Sequence, residues 1–86
     1  MEKKLLKFYA NWCGPCIVMK PVAEKIAKEH ELELVEVNID TEKDLASEYG
    51  VTSIPTLVLL EDGKEVARYS GAQTQTRVSS ALGLTT

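Results

Sequence analysis

The two cysteines of this chain, Cys13 and Cys16, are the residues best suited to carry chemistry. They are the only cysteines among 86 residues, and they flank Gly14 and Pro15 directly after the only tryptophan, Trp12. At this spacing on the first turn of a helix, two cysteines have Cα atoms roughly 5–6 Å apart, which suits a disulfide. Cys13 would lie at the helix start, where unpaired N–H groups and the helix dipole favour an accessible thiolate. Cys16, one turn further, should be more buried and less acidic. The pair is therefore predicted to exchange disulfides, with Cys13 attacking and Cys16 resolving.

Two other uses of a cysteine pair stay open from the residues alone: a structural disulfide and half of a zinc site. Zinc normally needs four ligands, and His30, at the far end of the predicted helix, is the single histidine of the sequence. The N-terminus lacks the apolar stretch of a signal peptide, so we expect a cytoplasmic protein, in which cysteines are more often catalytic than structural. We therefore expect a redox pair, with no metal site and no other cofactor.

The composition describes one small domain without the marks of a nucleic-acid or membrane partner. The chain is 44% hydrophobic and 27% charged, which is ordinary for a globular protein. The net charge is −3 and the basic residues do not cluster, which argues against nucleic-acid binding. The longest apolar run, residues 57–60, is far too short to span a bilayer. No part of the pattern requires a second subunit, so we expect a monomer.

The elements that must position the cysteines follow from hydrophobic periodicity and turn signals. An i, i+4 apolar stripe predicts a helix from Cys13 onward, which Pro21 should kink. Thr41 is expected to cap a short second helix, with Asp44 in capping-box register, and Gly50 is expected to end it. An Asp-Gly turn at 62–63, between apolar runs, predicts a hairpin.

The predicted order of elements is βαβαββα, a mixed four-stranded sheet with helices on both faces. A strand–helix–strand unit of this length gives a parallel pair with a right-handed crossover. Val78, Ala81 and Leu82 are the residues of the last helix expected to face inward. The predicted strands are 4–10, 32–39, 56–61 and 65–69, and the predicted helices are 13–29, 42–49 and 73–82.

Four short motifs in combination resemble the thioredoxin family. Trp-Cys-Gly-Pro-Cys after an apolar strand is similar to that family's active site. Residues 53–56 (Ser-Ile-Pro-Thr) resemble its cis-proline loop, residues 62–64 (Asp-Gly-Lys) its late hairpin turn, and residues 70–72 (Ser-Gly-Ala) its third active-site loop. The resemblance implies a thioredoxin-like α/β fold in its minimal form, as a single domain over residues 1–86. That form lacks the strand and helix that precede this point in full-length members.

The resemblance also implies where substrates bind. Pro55 is expected in the cis form, and the backbone at Ile54 is expected to pair with substrate as a short added strand. Trp12, Ile54, Pro55 and Ala72 would form an exposed apolar patch for docking, with Gly71 in the third loop. Two alternatives stay open: Trp12 as a half-buried core aromatic, and Pro55 as a trans proline that opens a strand.

Lys7 and Glu36 depart from the family pattern. The family places a buried aspartate at the strand position of Lys7 and a lysine at the position of Glu36, so this chain carries the pair with its charges exchanged. The two side chains are predicted to face each other on adjacent parallel strands. They would modulate proton transfer at Cys16 and the pKa of Cys13. The alternative is a salt bridge with no part in catalysis.

The function that follows is reduction of protein disulfides, with a thioredoxin reductase, flavin-dependent by family analogy, as electron donor. Gly14 and Pro15 give a stiff turn that favours the disulfide and so makes the dithiol a reductant. One alternative is a glutaredoxin-like oxidoreductase that uses glutathione, which would prefer Pro-Tyr between the cysteines. Another is a docking scaffold in which the cysteines are incidental. Reduction of insulin by the wild type and by Cys13→Ser separates the enzyme from the scaffold.

Overall fold

Seven elements follow one another in the predicted order βαβαββα. The structure is a computed structural model that describes residues 2–84. The strands are β1 (Lys3–Tyr9), β2 (Glu33–Asn38), β3 (Thr56–Glu61) and β4 (Lys64–Ser70), and the helices are α1 (Gly14–Glu29), α2 (Lys43–Glu48) and α3 (Gln75–Ala81). The boundaries of β3 are those predicted, and all other ends lie within two residues of the prediction.

The strands form one mixed sheet in the order β2-β1-β3-β4. β1 is parallel to β2 and antiparallel to β3, and β3 is antiparallel to β4. The two central strands, β1 and β3, are buried on both faces because helices cover both sides of the sheet. The parallel pair brings Lys7 opposite Glu36, as the sequence predicted.

Two hydrophobic cores lie on opposite faces of the sheet. On one face, α1 and α3 cover Leu5, Leu57 and their neighbours, with Met19 and Ile26 fully buried. On the other face α2 packs over Phe8, whose ring centroid lies 5.9 Å from that of Tyr49. The predicted placement of helices on both faces is therefore confirmed.

The inward face of α3 differs from the prediction at one position. Val78 and Leu82 are buried as expected, but Ser79 is buried and Ala81 is exposed. At 3.6 residues per turn, Ser79 and Ala81 lie about 80° to either side of the stripe formed by Val78 and Leu82. Helical periodicity cannot choose between them, and the packing of α3 against its neighbours covers Ser79.

The prediction that Thr41 caps α2 is wrong. Glu42 is the N-cap and makes no side-chain capping bond. The Thr41 hydroxyl instead donates to the carbonyl of Asn38 at 3.3 Å. The backbone amides of Thr41 and Glu42 donate to the same carbonyl. Thr41 therefore belongs to the turn after β2 and does not cap α2. The end of the helix is as predicted, with Gly50 at φ +62 following the C-cap Tyr49.

Other turn predictions concern Pro21 and the hairpin. α1 runs past Pro21 to Glu29, and the kink expected at this proline stays a prediction. Asp62 and Gly63 both have positive φ, +52 and +83, the signature of a type I′ turn, so the predicted hairpin is confirmed. Within residues 2–84, none of the helices has the length and apolar character needed to cross a bilayer.

Candidate functional site

The site begins where β1 ends and α1 starts. Cys13 is the N-cap of α1 and forms a disulfide with Cys16, with the two Cα atoms 5.3 Å apart. The Cys16 amide donates to the Cys13 sulfur at 3.2 Å, and the Cys13 amide donates to the Ala10 carbonyl at 3.2 Å. An extended Cys13 followed by helical residues brings the two sulfurs together, because Gly14 and Pro15 form the first turn between them. The sulfur of Cys13 thus occupies the place of a capping oxygen, at the positive end of the helix dipole.

The two sulfur-bearing residues are less exposed than expected. Cys13 is 5% exposed and Cys16 is 2% exposed, so their order is the predicted one but Cys13 is not open to solvent in the disulfide form. They form a small apolar cluster with Ala10, against which Ile54 packs. A partner must therefore fit the surface around Cys13 closely to reach its sulfur.

Trp12 is a surface residue. Its side chain is 71% exposed, so the half-buried alternative is wrong. The indole N–H donates to a carboxylate oxygen of Asp40 at 2.9 Å, and the Asp40 amide is itself bonded to the side chain of Asn38 at 2.9 Å. Asp40 is a residue of the site that none of the sequence motifs indicated. A signal was present, because Asp40 follows β2 at the edge of the sheet where the parallel neighbour β1 leads into the cysteines.

The loop before β3 adopts the conformation that the resemblance implied. The Ile54–Pro55 peptide bond is cis, and the Gly71 amide donates to the Pro55 carbonyl at 2.9 Å. The expectation that Pro55 is exposed is wrong, since its ring is fully buried. Ile54 is half-buried and Ala72 is exposed. The exposed apolar surface here therefore comes from Trp12 and Ala72, with part of Ile54, and not from the proline.

Lys7 and Glu36 form the predicted ion pair. The Lys7 Nζ lies 3.6 Å from a carboxylate oxygen of Glu36, and the side chains are 3% and 36% exposed. The same ammonium lies 5.3 Å from the centroid of the Tyr9 ring, within the range of a cation–π contact. Lys7, Glu36 and Tyr9 line a cavity of about 360 Å³, and Cys16 and Lys20 line it too. The buried Lys7 and the inner cysteine, Cys16, thus line the same cavity.

Metal chemistry has no support in the described part of the chain. Between residues 2 and 84, no three His, Cys, Asp or Glu side chains come together as metal ligands, and both sulfurs are used by the disulfide. His30 caps the opposite end of α1, about 24 Å away along a 16-residue helix. The arrangement of Cys13 and Cys16 therefore supports reversible disulfide chemistry.

Comparisons with known proteins agree on one family. A family model described as Thioredoxin matches residues 1–83. Thioredoxin 1 of a Nostoc species is 41% identical over 80 residues, which cover 91% of this chain and 75% of the relative. Thioredoxin of Chlamydia caviae is 50% identical over 68 residues, which cover 78% of this chain and 67% of the relative. Among solved structures, thioredoxin of Fasciola hepatica matches with a TM-score of 0.83 at 40% identity, over 95% of this chain and 79% of that one.

Proposed function

Because this chain belongs to the thioredoxin family and is a thiol–disulfide oxidoreductase that reduces protein disulfides, we propose that Cys13 attacks the substrate and Cys16 resolves the intermediate. The observation that carries this assignment is the hydrogen bond from the Cys16 amide to the Cys13 sulfur at the start of α1. A donor and a helix N-terminus aimed at one sulfur favour its thiolate over its thiol, and only the thiolate is nucleophilic.

The reaction is a pair of thiol–disulfide exchanges. The Cys13 thiolate attacks one sulfur of the substrate disulfide, so that a mixed disulfide forms and the other substrate sulfur leaves as a thiolate. Cys16, deprotonated, then attacks the Cys13 sulfur and releases the second substrate thiolate. Two electrons pass from the dithiol to the substrate, and the protein ends with its Cys13–Cys16 disulfide. The cysteines are the redox centre, so the proposal includes no further cofactor.

Lys7 and Glu36 are proposed to assist the second exchange. Cys16 must lose a proton before it attacks, and Lys7 lines the same cavity as Cys16. A cation there favours the thiolate. Glu36 is a third exposed at the same cavity, so it can accept the proton and pass it to solvent. The other charged or titratable groups lining this cavity are Tyr9 and Lys20.

A titration distinguishes this role from a salt bridge that only stabilises the fold. The thiolate absorbance of the reduced protein is measured against pH in Lys7→Met and Glu36→Gln. We expect the thiolates to form at higher pH in Lys7→Met, because the cation that favours them is gone. Lys28→Met is the matched control, since Lys28 is an exposed lysine in the last turn of α1, away from this cavity. If the titration curves of both variants coincide with that of the wild type, Lys7 and Glu36 have only a structural role.

The substrate is proposed to dock on Trp12 and the loop around Ile54. The exposed indole is held in place by its bond to Asp40, which lowers the entropy lost when a partner packs on it. The backbone at Ile54, beside the buried Pro55, would pair with an extended segment of the substrate, with Gly71 and Ala72 on the other side. A platform of one aromatic ring and one backbone edge suits disulfides in loops of many proteins.

Reduction of insulin disulfides tests the proposal. The wild type, reduced with dithiothreitol, should accelerate precipitation of insulin chains, and Cys13→Ser should not. Equal activity in both would favour a docking scaffold.

We propose a thioredoxin reductase as electron donor. We propose further that the protein acts in the cytoplasm as a monomer. Assays of one sample with NADPH and thioredoxin reductase, or with glutathione and glutathione reductase, decide the donor, and turnover with glutathione alone would favour the glutaredoxin-like alternative.

A further inference from the structure

Thr56 has a buried hydroxyl for which the proposed reaction has no use. The residue follows the cis proline as the first residue of β3 and is 2% exposed. Its Oγ1 lies 2.7 Å from the carbonyl oxygen of Ser53 and 2.9 Å from the hydroxyl oxygen of Ser70. The hydroxyl therefore contacts both the loop before β3, where Ile54 packs against the cysteines, and the end of β4, which leads into the next loop.

The chemistry of the three groups fixes the direction of both bonds. A carbonyl oxygen only accepts, so the single hydroxyl proton of Thr56 is donated to Ser53. Thr56 then has only lone pairs to offer to Ser70, so the Ser70 hydroxyl must be the donor in the second bond. The result is a short relay in which Ser70 donates to Thr56 and Thr56 donates to the backbone at Ser53.

A second contact joins the same two loops. The Gly71 amide donates to the Pro55 carbonyl at 2.9 Å, and Thr56 and Ser70 are partners at the end of the β3–β4 ladder. The hydroxyl relay and the amide bond hold the loop of residues 53–55 against residues 70–71 on either side of Pro55. The backbone at Ile54 lies between the two residues that these bonds hold in place, Ser53 and Pro55.

We propose that Thr56 and Ser70 are positioning residues that set the docking edge at Ile54 for protein substrates. The proposal rests on the docking role given above to Ile54. A polypeptide must match the position of this edge along several backbone groups, whereas a small disulfide only has to reach Cys13. Loss of the relay should therefore weaken the use of protein disulfides and leave reaction with small disulfides unchanged.

Steady-state kinetics on two substrates test the relay. Thr56→Val keeps the shape and removes the hydroxyl, Ser70→Ala removes the outer donor, and Thr56→Ser keeps the hydroxyl. We expect Thr56→Val to raise KM for insulin roughly five- to tenfold with kcat little changed, because both hydrogen bonds of the Thr56 hydroxyl are lost. The rate with DTNB, a small chromogenic disulfide, should stay at the wild-type value. The KM of Thr56→Ser for insulin should equal that of the wild type, because this variant keeps the hydroxyl.

Ser80→Ala is the matched control, because Ser80 is an exposed hydroxyl on α3, and its kinetics should equal those of the wild type. Ser70 is exposed, so Ser70→Ala should fold even if Thr56→Val does not, and a two- to fivefold rise in KM for insulin is expected from losing one donor. Hydrogen exchange at the Gly71 amide should also be faster in Thr56→Val and in Ser70→Ala than in the wild type.

Two results would overturn the proposal. An unchanged KM for insulin in Ser70→Ala and Thr56→Val would show that the relay does not position the docking edge. Equal losses with insulin and DTNB would place the effect at the sulfurs instead. The proposed function fails separately, if the wild type reduces insulin no faster than Cys13→Ser.

Discussion

Replacing Glu36 with glutamine should cost far more stability than replacing its partner Lys7. Lys7 is 3% exposed, so Glu36→Gln leaves the buried ammonium of Lys7 with no counter-charge. Glu36 is 36% exposed, so in Lys7→Met it can turn toward water while the methionine fills the space of the lysine stem. Because Lys7 is buried and Glu36 is partly exposed, we expect Glu36→Gln to lose more free energy of unfolding than Lys7→Met.

The size of the effect follows from the same two exposures. Breaking a fully buried pair by removing one partner costs about 3–5 kcal/mol. Because one of the two groups here is a third exposed, we expect about 2 kcal/mol for Glu36→Gln, and less than about 1 kcal/mol for Lys7→Met. For a domain of this size, about 2 kcal/mol lowers the Tm by roughly 10 °C. The double variant should lie close to Lys7→Met, since it leaves no unpaired charge.

Denaturant unfolding of the four oxidised proteins measures this cycle. The free energies of unfolding of the wild type, both single variants and the double variant give the coupling between the two side chains. Glu33→Gln is the matched control, because it removes an exposed carboxylate from the same strand. If Glu36→Gln were as stable as wild type, or if Lys7→Met were the less stable single variant, the ion pair would not hold a buried charge as we infer.

Three further perturbations have clear expected outcomes. The hydrogen bond from Arg68, bidentate to Glu65, lowers the pKa of that carboxyl below its ordinary value. The resulting stability is complete above the ordinary pKa of glutamate and is lost as the pH falls through the lower folded pKa. The difference in Tm between wild type and Glu65→Gln should therefore shrink below about pH 4, and a constant difference would refute the assignment. Gly63 has φ +83, so Gly63→Ala should lower the free energy of unfolding by about 1–2 kcal/mol in denaturant titrations, and an unchanged midpoint would contradict the type I′ turn. Trp12→Ala should change stability by less than about 0.5 kcal/mol while insulin reduction falls several-fold, and undiminished activity would remove Trp12 from the docking surface.

The parts of the fold that the sequence determined strongly are those with an uninterrupted physical signal. β3 is apolar on both faces and lies between a proline and an Asp-Gly turn, and its predicted bounds are those observed. α1 has a long apolar stripe and begins at a cysteine that can cap it. The alternation along β1 placed Phe8 and Lys7 on opposite faces, and the parallel register then paired Lys7 with Glu36.

The parts that could not be predicted depend on which partner each side chain meets in the folded chain. Thr41 carries a capping residue type, but the turn after β2 offered its hydroxyl another acceptor. The burial of Pro55 depends on the residues folded around it, and the bond from Trp12 to Asp40 joins two loops 28 residues apart. The relay through Thr56 likewise needs Ser70, which lies 14 residues further along the chain. None of these contacts leaves a periodic signal in the sequence.

Trapping of the mixed disulfide tests the central assignment most directly. Cys16→Ser and Cys13→Ser are each reduced, mixed with a protein that has one accessible disulfide, and examined by intact mass under nonreducing conditions. Cys16→Ser should hold the substrate covalently through Cys13, because the sulfur that resolves the intermediate is gone, and Cys13→Ser should yield no adduct. A stable adduct on Cys13→Ser, with none on Cys16→Ser, would contradict the roles assigned to the two sulfurs.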